Sequence, residues 1–438
     1  LLRSYEAFLT QLTKLDILDV ENFKPLLKGT DLAKVLNTKP GPWMKDALDV
    51  VMAWQLRNPG STDSAAAIEA VKASGHEQTN SELPLRLASH FLQLTIPPFF
   101  PQNNPALNTL EASRLPAPWK DPTARYALDL LAWTITVLGR KEIEAKWHLL
   151  APPTLKMIDD MDAEWKARGC RLLNLLLERL REPSTNMLPK SKATTNQHPS
   201  SFLHRTGYHN VFADTLLPLF TYIPSLTPEP EAVVLFRELF PALTSLALLL
   251  PTEISKGDTR IRFLDKILRQ GILAPLAHFP TPSTYPELAT VILSHLQVLL
   301  GHLGVESVKH LPNVTPLLSI ILQEPFILGH KPLALSTLNA LQAVMLNAWP
   351  RIPAHRGAIM MGLCLCWSRC VEEQKTLDEH DTGAVRKQLR ETAAMLDAVM
   401  QAVEEEGMPE VWEKEKREVM EASSIYAGLF EDSDSNQV

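Results

Sequence analysis

Cysteine is scarce in this chain. Only Cys170, Cys364, Cys366 and Cys370 occur among 438 residues, too few and too unevenly placed for a disulfide framework, which points to a reducing compartment. A surplus of cations is missing as well. The formal net charge is −7 and the isoelectric point about 6.0, which argues against a general nucleic-acid binder, because neutralising phosphates requires excess Lys and Arg. No secretory-signal pattern is visible. The most apolar stretches, 233–250 and 288–303, are interrupted by Arg237, Glu238 and Pro241 in the first and by His295 and His302 in the second, so neither reads as a membrane span. Gly301 and Gly304 lack the Lys-Ser/Thr that completes a phosphate loop, and no G-x-S-x-G elbow offers a nucleophile. No run alternates cleanly enough to demand a sheet. These absences remove the common catalytic classes and predict a chain that is not an enzyme and holds neither metal nor cofactor.

What is present reads as helix. The apolar fraction of 45% and charged fraction of 21% are those of a folded soluble protein, and Leu and Ala recur every three or four positions over long stretches. Proline stands where a first helical amide would lack a partner anyway, at Thr227-Pro228-Glu229, Tyr285-Pro286-Glu287 and Asp121-Pro122. One stripe runs Leu288, Val291, Ile292, His295, Leu296, Leu299, Leu300 and Leu303, and another Ala334, Leu338, Leu341 and Met345. Such stripes must pack on neighbours. Helices of roughly 15 to 22 residues without strands to wrap predict an all-α, HEAT-like α-solenoid of stacked helix pairs, preceded by a small separate helical segment. No strict period is visible, as fits repeats whose length drifts over about 40 to 47 residues.

Breaks divide the chain into a helical segment 1–75, a polar linker 76–82 within GHEQTNSE, a solenoid 83–430 and an acidic tail 431–438. A proline-rich stretch covers 97–122. The nearly apolar-free 183–201 reads as a mobile loop. Because the chain begins Leu1-Leu2 without methionine, it reads as a fragment, a processed product or an incomplete gene model.

Several phrases carry a family resemblance: Trp165-Lys166-Ala167-Arg168-Gly169-Cys170 followed by RLLNLLLERL, Arg205-Thr206-Gly207-Tyr208-His209-Asn210-Val211-Phe212, LLPLFTYIPSLTPEPEAVVLFRELFPAL from Leu216, Phe263 to Leu273, and Trp349-Pro350-Arg351-Ile352-Pro353-Ala354-His355-Arg356. In number and order they resemble the second Tel-two-interacting protein family, the smallest member of the TTT co-chaperone complex. The resemblance implies a non-catalytic, HEAT-like helical protein of cytoplasm and nucleus. Its implied partners are the larger helical TTT subunits, Tel-two-like and the first Tel-two-interacting protein. Through them it would serve phosphatidylinositol-kinase-related kinases of the TOR, ATM and ATR types, together with the ninety-kilodalton heat-shock chaperone.

A second resemblance covers only the first sixth. Leu27-Lys28-Gly29-Thr30-Asp31-Leu32, Lys39-Pro40-Gly41-Pro42-Trp43-Met44 and Trp54-Gln55-Leu56-Arg57-Asn58-Pro59 look like the carboxyl-terminal tail of a fungal-type CCA-adding tRNA nucleotidyltransferase. The family's catalytic head, a Gly-Ser turn with a metal-binding Asp-x-Asp, is missing upstream, so this piece can at most touch tRNA. Nine cations against nine anions up to Gly75 leave no net attraction for phosphate. Two adjoining genes joined in one reading frame would accommodate both resemblances. The alternative to a TTT subunit is thus the C-terminal part of a CCA-adding enzyme without its head.

Asp160-Met161-Asp162 matches an Asp-x-Asp string only inside a helical stretch. Cys366 and Cys370 share a helix face without a second zinc-finger pair, which favours core packing. His295, His302 and His310 on one continuous helix would span roughly 20 Å, too far for a shared metal. The run 404–421 reads as a solvated helix face. Trp349, Arg351, His355 and Arg356 cluster at a helix start and, with Arg205, form the expected partner-binding set. A stiff turn whose tryptophan fills the groove between repeats is the alternative. On the first reading, replacing Arg351 and Arg356 together by Glu should weaken partner capture without lowering the melting temperature. Trp165 and Trp367 read as core.

Overall fold

The computed structural model describes residues 26–35, 43–58, 63–100, 117–182, 201–251, 258–374, 382–403 and 407–430. The expected loop 183–201 (apart from Ser201) and tail 431–438 lie outside them. Among the described residues there is no strand. The chain divides into two compact units, Leu1–Phe91 and Leu92–Val438.

The first unit contains α1 (Gly29–Val35), α2 (Trp43–Arg57) and α3 (Ser64–His90). Asp63 starts α3 by accepting from the amides of Ala65 and Ala66, two of the donors that a helix leaves orphaned at its start. Leu32, Ala47, Val51, Ala67 and Val71 close a small core, and the Gln55 side chain accepts from the Leu26 amide at 3.0 Å. The expected linker 76–82 is corrected here, because it lies inside α3. Glu and Gln are good helix formers and a single Gly costs about 1 kcal/mol, so polarity alone does not end a helix. The division between units falls instead at Phe91, where a π-helical turn, Phe91–Thr95, begins.

The second unit is built from α4 (Tyr126–Val137), α5 (Arg140–Ala145), α6 (Trp147–Ile158), α7 (Ala163–Arg181), α8 (Ser201–Thr206), α9 (Tyr208–Leu216), α10 (Glu229–Leu248), α11 (Thr259–Ile267), α12 (Ala274–His278), α13 (Pro286–Leu303), α14 (Leu311–Leu322), α15 (Lys331–Ala348), α16 (Arg356–Gln374), α17 (Gly383–Ala402), α18 (Met408–Ala422) and α19 (Ala427–Phe430). Five of these form one continuous layer, each packed on the next in the order α7, α10, α13, α15, α17. The intervening helices complete the pairs: α6 lies on α7, α14 on α15 and α16 on α17. This is an α-solenoid of stacked helix pairs, in which each apolar stripe is covered by the next pair. Both expected stripes are buried, apart from the half-buried His295. Each fully buried Leu contributes about 1.5–3 kcal/mol.

Polar ties fix the register between layers. Ser245 on α10 donates to Asn174 on α7 at 2.7 Å, and Glu229 on α10 accepts the Glu287 and Leu288 amides at the start of α13. Gln342 on α15 donates to Thr392 on α17 at 2.9 Å. The helical stretch Pro286–Leu322 is long and apolar enough to cross a membrane by length and composition, a test the interrupting histidines do not defeat. Here a 3-10 segment, Gly304–His310, divides it into two helices, and half of its apolar window is buried inside the fold.

Candidate partner-binding surface and the staples around it

The phrase Trp165 to Cys170 shows how sequence becomes geometry. Asp162 starts α7 by accepting from the Glu164 amide, while Asp160 accepts from Lys120 and from the Asp162 amide. The Asp-x-Asp string is therefore a capping turn. The Trp165 ring meets Trp119 edge-on at 5.0 Å, and Arg168 lies over Trp165 at 4.4 Å. Lys166 is buried and donates to the terminal carbonyl of α6 at Ile158, with the Tyr222 ring 5.1 Å away. Gly169 permits the close crossing of α6 and α7: a β-carbon there would stand 2.8 Å from the Ile158 amide nitrogen. Gly271 likewise leaves room for the Phe220 ring, whose tip a β-carbon there would strike.

The expected partner-binding set lies on two separate elements. Arg205 is exposed on the short α8, while the other four residues belong to the 3-10 turn Trp349–His355 and the start of α16. Ile352 and Pro353 anchor that turn in the core. Trp349 is 43% exposed, so a large part of its ring remains open to solvent. Leu346, 66% exposed and three positions earlier, shares its helical face. Arg351 is exposed and His355 half-buried. Leu346, Trp349 and Arg351 are thus exposed within six residues of one another, and exposed apolar and Arg side chains are the types that anchor protein interfaces. Leu346 is an exposed residue that the sequence reading did not single out. Its signal was a leucine one position out of register with the buried Met345.

Arg356 departs from the expectation. Its guanidinium grips Glu415 through two bonds of 2.6 and 2.8 Å and also donates to the Pro353 carbonyl at 2.8 Å. That fork holds the Glu415 carboxyl below its ordinary range. Arg356 is thus an internal staple between the 3-10 turn and α18 rather than a partner anchor.

The charged run 404–421 is likewise more than a solvated face. Trp412 is fully buried within it and donates to Asp397 at 2.8 Å, while Lys416 bridges Asp397 and Glu413 at 2.9 and 2.8 Å. Further along, Trp367 donates to the Ile425 carbonyl at 2.8 Å, Arg386 and Arg390 lie over its ring at 5.1 and 5.2 Å, and Arg390 donates to the Gly428 carbonyl at 2.9 Å. The segment 407–430 therefore folds back over α16 and α17, as a terminal cap does in a repeat array.

Other titratable groups are also spent on structure. His310 bonds Asp265 at 2.8 Å, and Lys309 reaches the same carboxylate at 2.6 Å. His295 stacks on Phe240 at 4.7 Å, and burial drives its pKa down to about 4. Burial first, then Arg260 and Arg181, lowers that of His302. The three histidines thus occupy unrelated settings. Cys366 and Cys370 are buried side by side, their mutual hydrogen bond and burial raising the Cys366 thiol. Among the described residues no cluster of His, Cys, Asp and Glu could hold a metal ion.

The fold defines a helical repeat scaffold. Comparison with known proteins makes this specific: residues 53–329, more than half of the chain, match the Tti2 family, and the chain belongs to that family. TEL2-interacting protein 2 of Saccharomyces cerevisiae is 24% identical over 295 residues, 66% of this chain and 65% of that protein. A short N-terminal segment matches a different group. Nucleotidyltransferase lcsQ of Purpureocillium lilacinum is 47% identical over 68 residues, 16% of this chain and 11% of the relative. The mitochondrial CCA tRNA nucleotidyltransferase of Candida glabrata is 32% identical over 59 residues, 14% of this chain and 11% of the relative. The chain thus spans about a tenth of the curated nucleotidyltransferases and just under two thirds of the yeast TEL2-interacting protein. No solved structure matches.

Proposed function

We propose that this chain acts as the Tti2-type subunit of a TTT co-chaperone assembly, a non-catalytic scaffold in cytoplasm and nucleus that grips a TEL2-type subunit. Through it the chain supports maturation of phosphatidylinositol-kinase-related kinases with the ninety-kilodalton heat-shock chaperone. The observation that carries the reading is the family match over 53–329 laid on stacked helix pairs. The mechanism is mass action: a protein that binds only native-like partner raises the population of that state. A stable grip buries more than about 1,000 Å², with aromatic and Arg anchors near its centre. Leu346, Trp349 and Arg351 supply such anchors.

The test is affinity purification of the tagged chain from its own cells, followed by mass spectrometry. A TEL2-like protein and large kinases should be recovered, and Trp349→Ala with Arg351→Glu should reduce that recovery without a change in melting temperature. Absence of any TEL2-like protein would overturn the reading. A second reading applies to the first unit alone, as a tRNA-contacting tail, and is supported by the 47% identity to nucleotidyltransferase lcsQ. Salt-sensitive recovery of tRNA, lost on deleting residues 1–75, would favour it.

A further inference from the structure

A groove of about 420 Å³ lies between α4 and α7, well away in sequence from the Trp349 patch. Its floor is aliphatic, with Leu128 and Leu172 buried beneath. Three of its lining residues are arginines, Arg125, Arg168 and Arg171, against a single carboxylate, Asp129. Arg168 is pre-set, bonded to Glu164 at 2.5 Å and stacked on Trp165. Arg125 and Arg171 are exposed and make no ion pair with any described residue. Two uncommitted guanidinium groups thus flank an apolar trough.

We propose that this groove docks an acidic amphipathic segment of a protein partner, with an aliphatic side chain on the floor and carboxylates against Arg125 and Arg171. Charge complementarity selects the occupant: planar guanidinium groups pair with carboxylates through two parallel bonds. A nucleic-acid strand fits less well, because no aromatic ring lines the groove to stack a base and the whole chain carries a net charge of −7. A small polar ligand would need buried polar groups to orient it, and the floor offers none. The mode is helix-in-groove recognition, read by anchors spaced three and four apart. It goes beyond the TTT reading, since it concerns another surface and holds whichever complex the chain serves.

The test uses the purified full chain and a fluorescein-labelled peptide of about three helical turns, with Leu at positions one, four and eight and Glu elsewhere. Anisotropy should rise saturably and weaken at high salt. Arg125→Ala with Arg171→Ala should weaken binding at least about tenfold with an unchanged melting temperature. Asp129→Asn should tighten it a few-fold, a gain that misfolding cannot imitate. The proposal is overturned if a scrambled peptide of the same composition binds equally well, if the arginine variant binds like the parent, or if oligothymidine displaces the peptide at equal concentration. Failure here leaves recovery of a TEL2-like protein untouched, so the two readings fail separately.

Discussion

Arg351 and Arg356 stand five residues apart, and replacing each by Glu should have opposite consequences. Arg356 makes two charge-assisted bonds to Glu415, with the two side chains only 25% and 30% exposed. An exposed pair contributes about 0.2–1 kcal/mol, whereas bonds to charged, partly buried groups contribute more, so Arg356→Ala should cost about 1–2 kcal/mol. Glu at that position adds repulsion of about 1 kcal/mol against Glu415, for a total of about 2–3 kcal/mol. Arg351 is exposed and has no partner among the described residues, so its replacement should stay within about 0.5 kcal/mol. Urea denaturation followed by tryptophan fluorescence reads the difference. The Arg356 contribution must also fade in acid: Glu415 titrates below its ordinary 4.5 in the folded chain, so stability present above that value is lost as pH falls through the folded pKa. Equal midpoints for the two variants, or a loss that persists unchanged in acid, would refute the staple. The earlier expectation that both residues could be reversed without thermal cost is therefore halved.

Gly169→Leu should cost about 1–3 kcal/mol by forcing α6 away from α7, measured by the same denaturation, while Gly301→Leu, with open space at its β-carbon, should cost less. His295, held down to about 4 against an ordinary 6.5, takes its proton first in the unfolded chain, so stability should fall as pH drops from 6.5 to 4, by at most about 3 kcal/mol. His295→Phe should flatten that part of the pH profile, and an unchanged profile would refute the assignment. Cys170, its thiol raised mainly by burial, should resist a thiol reagent until the chain unfolds, and labelling faster than unfolding would contradict its packing.

The helices were legible because their signals are local. Proline at the starts of α10 and α13 and the four-three-four spacing on α15 depend on neighbours in sequence, and all of these helices formed. The run through Gly75 misled because its polarity resembles a connector, yet a helix needs backbone bonds rather than apolar side chains to continue. The C-terminal cap was hidden for a different reason. Arg356 and Glu415 are 59 residues apart and Trp367 and Ile425 58, so no periodicity reports that they meet. Trp349 is exposed, whereas Arg356, which carried the same local signature, is consumed by the distant helix. The arginine groove escaped notice because Arg125 caps the start of α4 while Arg168 and Arg171 belong to α7, and only packing brings them together.

The central claim is that this helical scaffold holds a TEL2-type protein directly. Mixing the purified chain with the TEL2-like protein of the same organism and passing the mixture through size exclusion with light scattering tests it. One complex heavier than either component by the mass of the other, 49.0 kDa being contributed by this chain, is the predicted result. Two separate peaks at concentrations well above those in cells, with both proteins folded, would contradict it.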